Sequence, residues 1–171
     1  MEKVILVDEN DQEIGVMEKM EAHEKGLLHR AFSIFIFNSK GELLLQKRSA
    51  NKYHSGGLWT NTCCSHPKPE EDCLKAAQRR LKEEMGIMTD LHLSFHFTYK
   101  AILDNNLTEH EFDHVFIGKT DDEPIININE AEDFKYMTPE SITAEIKSNP
   151  NAFTAWFRII FNEFPNHLKA D

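Results

Sequence analysis

No stretch of this sequence approaches the roughly 18 consecutive apolar residues that a membrane span requires. The opening MEKVILVDEN has neither the basic patch nor the apolar run of a secretory signal, so a cytoplasmic protein is expected, one that stays out of membranes. Cysteine is scarce. The 171 residues hold three, an odd number without metal-finger spacing, and the adjacent Cys63 and Cys64 could not staple separate segments to each other. Free thiols in a reducing compartment are expected. A surplus of basic charge is missing as well: the formal net charge is −10, which disfavours non-specific binding to nucleic acid or to an anionic membrane. Anionic small substrates remain open to it only if metals or local Lys and Arg receive them. Repeats and low-complexity tracts are absent from the sequence, so residues 1–171, at 40% hydrophobic content, are read as a single domain with a sizeable core.

What is present differs in kind along the chain. VILVD (4–8) and EIGVMEK (13–19) flank a polar ENDQ turn, while FSIFIF and ELLLQKR flank NSKG, so each pair reads as strand, turn, strand. LHLSFHFTYKAIL and EFDHVFIGK supply further strands. PEEDCLKAAQRRLKEEMG predicts a helix over 70–85, with Pro69 and three acids at its start and Gly86 where it stops. PESITAEIKS and NAFTAWFRIIFNEF predict two more helices. The expected class is α/β with a mixed sheet.

On a helix advancing about 100° per residue, Leu74, Ala77, Leu81 and Met85 share one apolar stripe, with Glu84 roughly 80° and Glu83 roughly 180° from Leu74. Glu84 therefore borders the core and Glu83 faces water. Arg80 shares the border with Glu84, and Arg79 stands at helical pairing distance from Glu83. Two readings follow from the helix alone: surface ion pairs worth under about 1 kcal/mol each, or a carboxylate and an arginine lining a pocket at the edge of an apolar face.

The stretch from Ser65 to Ile87, with Glu71, Arg79, Glu83, Glu84 and Gly86, resembles the Nudix box, a loop, helix, loop element that holds divalent metal on diphosphate substrates. Two positions depart from it. Ser65 stands where the box opens with glycine, and Arg80 stands where a glutamate follows the arginine. Exchanging that acid for a base turns repulsion of a diphosphate into attraction, and it argues against ordinary Nudix hydrolysis, which relies on clustered carboxylates. TNTCCSHP, EHEFDHVF and HRAFSIFIF resemble the signature segments of the type 1 isopentenyl-diphosphate isomerases, with matches running from about Lys19 to Trp156. The resemblance implies a Nudix-like fold, a mixed β-sheet sandwiched between helices. It also implies an isomerase that converts isopentenyl diphosphate to dimethylallyl diphosphate through a tertiary carbocation, acting as a monomer or weak homodimer on a small isoprenyl diphosphate.

The individual residues fit that chemistry. If TEHEFDHVF is a strand, period two puts Glu109 and Glu111 on one face and His110 on the other. His23, His29 and His66 would add three imidazoles, making a mixed N/O site for Mn²⁺, Zn²⁺ or Mg²⁺ rather than a pure magnesium or calcium cage. The resemblance implies these five as metal ligands; His54, His92, His96, His110, His114 and His167 have no counterpart and are expected to be structural. Cys64 corresponds to the family's catalytic cysteine, and residues two apart in an extended segment project together, so Cys64 and His66 are expected in one cavity. Cys63 and Cys73 are read as small buried apolar side chains. A Cys/His dyad for acyl transfer is a rival that leaves the paired glutamates unexplained.

Moving the double bond needs an acid and a base facing each other across the substrate. The resemblance implies Cys64 on one side and metal-bound Glu111 on the other, with Tyr99 as a proton relay beside it. Trp156 matches a family position offering an aromatic face to the cation, worth about 2 kcal/mol or more where water is excluded, although Phe153, Trp156, Phe157 and Ile160 also have ordinary core-helix spacing. Lys19, Arg48, Lys52 and Arg80 match positions that contact the diphosphate, and Mg²⁺ held by Glu84 would bridge its oxygens. Two other classes stay open: a Nudix-type diphosphate hydrolase, marked by phosphate or nucleotide release, and a non-catalytic diphosphate-binding module, marked by no turnover.

Overall fold

The computed structural model describes residues 1–168. Among them the chain forms, in order, β1 (Lys3–Val7), β2 (Glu13–Glu18), α1 (Lys19–Lys25), β3 (His29–Phe37), β4 (Leu43–Arg48), β5 (Trp59–Thr60), β6 (Cys63–Ser65), α2 (Cys73–Met85), β7 (Leu91–Ile102), β8 (Thr108–Lys119), β9 (Ala131–Met137), α3 (Pro139–Ser148) and α4 (Ala155–Glu163). The strands join in one mixed sheet. β3 runs parallel to β8, from His29 opposite Glu111 to Phe37 opposite Lys119, and antiparallel to β1, β4 and β6. β7 pairs antiparallel with β8, and β9 with β4.

The run HRAFSIFIF does not alternate because both of its faces are covered. On one face Phe35 and Phe37 pack with Val115, Ile117, Ile142, Trp156, Phe157 and Ile160, under α3 and α4. On the other, Phe32, Ile34 and Ile36 pack with Ala76, Ala77, Leu81 and Met85 of α2. A mixed sheet between helices is what the resemblance implied, and the apolar stripe of α2 is the one read from its sequence.

Several boundaries differ from expectation. Helix α2 starts at Cys73, not at 70: Glu70 has φ of +68° and cannot begin a helix, and Asp72 caps the first turn by accepting from the Lys75 N–H at 3.1 Å. Gly86 ends it in the left-handed region, where a Cβ would lie 2.8 Å from Ile125. The strand expected over 13–19 stops at Glu18, since Lys19 opens the unforeseen α1. β9 was also unforeseen, because AEDFKYM is half exposed and shows no clean alternation. α4 begins at Ala155 rather than near Asn151, with Phe153 bridged to Trp59 in extended form.

Candidate active site

One end of the sheet opens into a cavity of about 660 Å³ whose walls include Lys19, Arg48, Lys52, Cys64, His66, Arg80, Glu109, Glu111 and Trp156. These residues come from segments far apart in sequence, and the parallel pairing of β3 with β8 sets His29 opposite Glu111. His23, His29, Tyr99 and Glu84 are buried just behind that surface.

Three of the expected ligands converge on Glu111. Its Oε2 lies 2.8 Å from His66 Nε2 and 3.3 Å from His29 Nε2, and His23, His29, His66 and Glu111 each offer a ligand atom, all within 4.8 Å of one another. The ring orientations are set from behind. His23 Nδ1 donates to the Lys19 carbonyl at 2.7 Å and His29 Nδ1 to the Leu27 carbonyl at 2.9 Å, which leaves both Nε2 atoms facing the cluster, buried and without a hydrogen-bond partner. An imidazole fixed through one nitrogen and bare at the other has the form of a metal ligand. Burial, helped by the His66 and His29 charges, lowers the His23 pKa to about 3, so this ring is neutral as a ligand must be. The donor set therefore fits a divalent cation.

Period two holds along β8. Glu109 and Glu111 point inward together, while His110 turns away to the Gly26 carbonyl at 3.1 Å. The Tyr99 hydroxyl, opposite Glu111 in register, donates to Glu111 Oε1 at 2.6 Å and also contacts Glu109. Burial opposes ionisation of Glu111, yet the adjacent His29 and His66 imidazoles hold its carboxyl well below the usual range. Burial and the Glu109 charge push the Tyr99 phenol well above its ordinary value, so it keeps its proton. Asp113, next on the same face, accepts from Ser33 Oγ at 2.7 Å and is pushed upward by burial and by Glu111.

β6 separates the adjacent cysteines. Cys63 faces α2, fully buried, with Sγ 3.0 Å from Glu84 Oε2. Cys64 faces the cavity and α4: its Sγ lies 3.0 Å from Asn61 Oδ1, 3.7 Å from Ser33 Oγ, and accepts from Trp156 Nε1 at 3.0 Å. Burial and the Asp113 charge raise the Cys64 pKa, so the thiol is protonated in the resting site. Trp156 answers to both of its readings, since it packs in the core and also walls the cavity beside the thiol.

The cationic residues expected at the diphosphate all line the same cavity, and each already meets a partner. Lys19 pairs with Glu2 at 2.6 Å and lies over Tyr53. Arg48 donates to the His54 carbonyl at 3.1 Å and lies over Trp156. Arg80 reaches Glu84 at 3.1 Å, Glu83 at 2.6 Å and Glu130 at 3.3 Å, and Lys52 contacts Glu130 closely and Glu84 at 3.5 Å. Glu84 is buried and Glu83 exposed, as the helix angles implied. Arg79 does meet Glu83, but its shorter bonds go to Glu71 through two nitrogens at 2.8 Å.

His54, expected to be structural, is buried at the cavity wall with Nε2 2.9 Å from Glu109 Oε2. Ser33, Asn61 and Glu130, single polar residues with no spacing signal, also touch residues of the cavity. The remaining unmatched histidines lie elsewhere: His114 pairs with Asp11 at 2.9 Å, His96 stacks on Phe112, and His92 is exposed.

Residues 27–157 match the NUDIX domain family. The chain is 57% identical over 155 residues to "Isopentenyl-diphosphate Delta-isomerase 1" of Aromatoleum aromaticum, covering 91% of this chain and 88% of that protein. It is 54% identical to "Isopentenyl-diphosphate Delta-isomerase" of Pectobacterium atrosepticum, covering 98% and 94%. Among solved structures, a Deinococcus radiodurans protein shares the fold with a TM-score of 0.78 at 20% identity, over 95% of this chain and 99% of that one. With the NUDIX domain match spanning most of its length and relatives of this closeness over nearly all of it, the chain belongs to the isopentenyl-diphosphate Delta-isomerase family.

Proposed function

We infer that this protein interconverts isopentenyl diphosphate and dimethylallyl diphosphate, and that residues 1–171 act as one domain in doing so. The observation that carries the reading is that, in a chain with these relatives, the Cys64 thiol beside Trp156 and the Glu111 carboxylate beside Tyr99 line one cavity.

The reaction adds a proton at one carbon of the alkene and removes one from the carbon on the far side. In our reading Cys64 serves one face of the substrate and Glu111, relayed by Tyr99, serves the other. A group that gives a proton in one direction takes it back in the reverse, so the two exchange roles with direction. The Trp156 ring, beside the Cys64 thiol, offers an aromatic face to the positive charge that develops between them. Lys19, Arg48, Lys52 and Arg80 bind and orient the diphosphate, with the present carboxylate partners of Lys19, Lys52 and Arg80 giving way to it. His23, His29, His66, Glu109 and Glu111 would hold one divalent cation, Mn²⁺, Zn²⁺ or Mg²⁺, and Glu84 would hold Mg²⁺ on the diphosphate. When bound, these cations supply positive charge that fixes the carboxylates and neutralises the phosphate oxygens.

The test is incubation with isopentenyl diphosphate and Mg²⁺ in D₂O. Dimethylallyl diphosphate carrying deuterium is expected, since both proton-exchanging groups equilibrate with solvent. Inorganic phosphate or pyrophosphate as the main product, with no double-bond shift, would overturn the reading.

A further inference from the structure

We propose that His54 is a sixth protein ligand of the divalent cation centre, joining Glu109 on the side of the cluster away from His29 and His66. The proposal rests on reading that cluster as a metal centre. His54 lies in the loop between β4 and β5 and is 2% exposed. Its Nδ1 is 3.0 Å from Ser55 Oγ. Ser55 is itself held in the left-handed region, φ +53°, with its N–H donating to Asp104 Oδ1 at 3.0 Å. The loop is therefore pinned in a conformation that few residues other than glycine adopt readily, and the pinning turns the imidazole inward.

The inward nitrogen has nothing to do in the protein alone. His54 Nε2 approaches Glu109 Oε2 to 2.9 Å, but no hydrogen bond is aligned on it, and it is buried without a partner, as are His23 Nε2 and His29 Nε2. A buried polar atom left unsatisfied costs about 1–3 kcal/mol. Three such nitrogens around two carboxylates form a set of lone pairs that a cation would satisfy together. His23, His54 and Glu109 each offer one ligand atom, all within 4.8 Å of one another. Ligands on opposite sides of one ion stand about 4–4.4 Å apart, so closing the group of His23, His54 and Glu109 takes less than about 1 Å.

His23 belongs to both groups of ligand atoms. Its Nδ1 is committed to the Lys19 carbonyl, so it has a single free nitrogen and serves a single ion. On this proposal the two groups, which share His23, form one centre with four imidazoles and two carboxylates. Six protein ligands complete an octahedron. That leaves no open position for substrate oxygen, and the ion acts by fixing Glu109 and Glu111 rather than by receiving the diphosphate.

The experiment uses the full chain stripped by chelator and titrated with Co²⁺, whose visible absorption reports its ligands. The variants are His54→Ala, His54→Gln and, as an exposed control, His92→Ala. One tightly bound Co²⁺ is expected for the wild type and for His92→Ala. Both His54 variants should bind about 10- to 100-fold more weakly, with an altered visible spectrum and a smaller metal-induced rise in Tm. Circular dichroism of the stripped proteins checks folding, and His54→Gln carries the test if His54→Ala fails to fold. A Co²⁺ affinity and spectrum in the His54 variants equal to wild type would overturn the assignment while leaving the metal centre standing. Two tight ions in the wild type, one lost with His54, would overturn the single centre, and no Co²⁺ bound by the wild type would overturn centre and ligand together.

Discussion

Cys63 and Cys64 are neighbours in sequence but lie on opposite faces of the sheet, one against Glu84 under α2 and the other against Trp156 in the cavity. Their substitutions should diverge accordingly. Cys64→Ser preserves shape but replaces a thiol of ordinary pKa roughly 8.5 by an alcohol. We expect turnover to fall at least about 10²- to 10⁴-fold, the scale of one general acid–base group, with substrate still bound. Cys63→Ser, which keeps a donor for Glu84, should be mild; steady-state kinetics that rank the two alike would show that the wrong thiol has been chosen. The ligands allow a second prediction. His66→Ala and Glu109→Gln should lose most of the bound Mn²⁺ or Zn²⁺ together with activity, whereas His92→Ala and His167→Ala should lose neither. Unchanged metal content by elemental analysis in the first pair would remove them from the site. At this scale the sequence was informative wherever period two applied, as in Glu109 and Glu111 or Cys64 and His66. It was silent on His54, because a loop has no period and only the left-handed Ser55 beside it reveals where the ring points.

Helix α2 shows what an element's sequence does and does not reveal. Its stripe, its exposed Glu83, its buried Glu84 and its Gly86 stop follow from angle and backbone freedom. Its start does not, since a proline and three acids suit either a first turn or the approach to one, and the left-handed Glu70 decides for the approach. That approach is tied back to the helix by the paired bonds from Arg79 to Glu71. The Arg79 bonds, only partly opposed by burial, hold the Glu71 carboxyl below its ordinary range. A carboxyl depressed in the folded state contributes stability that is complete above its unfolded value, about 4.3, and is lost as pH falls through the folded one. Glu71→Gln should therefore lower stability by about 1 kcal/mol or less at pH 7, and the difference from wild type should shrink as pH falls below the unfolded value and through the folded one. Urea unfolding across that range measures it, and a difference independent of pH would mean the pair contributes by packing instead. Strand β9 was illegible for a different reason: its half-exposed face carries the charges of a solvated edge, and only its pairing with β4 makes it a strand.

Across the whole molecule an acidic protein, net charge −10, gathers Lys19, Arg48, Lys52 and Arg80 at one cavity and neutralises three of them with Glu2, Glu84 and Glu130. Glu130 stands where a competing anion would, between Lys52 and Arg80. Glu130→Gln should free both cations and lower KM for isopentenyl diphosphate with little change in kcat, the mark of binding shared by ground and transition states. A raised KM would instead make Glu130 part of the receiving site. The sandwich was legible because covered strands and amphipathic helices declare their faces. The assembly of the site was legible only through resemblance, since spacing cannot tell that segments 80 residues apart, such as Ser33 and Asp113, meet. The parallel pairing of β3 with β8 also orders events in time. A ribosome delivers His23, His29, both thiols and His66 well before Glu109, Glu111 and Trp156. The growing chain thus presents these imidazoles and an uncovered Cys64 to its surroundings, and only the late arrival of β8 and α4 turns them from scattered groups into a guarded interior.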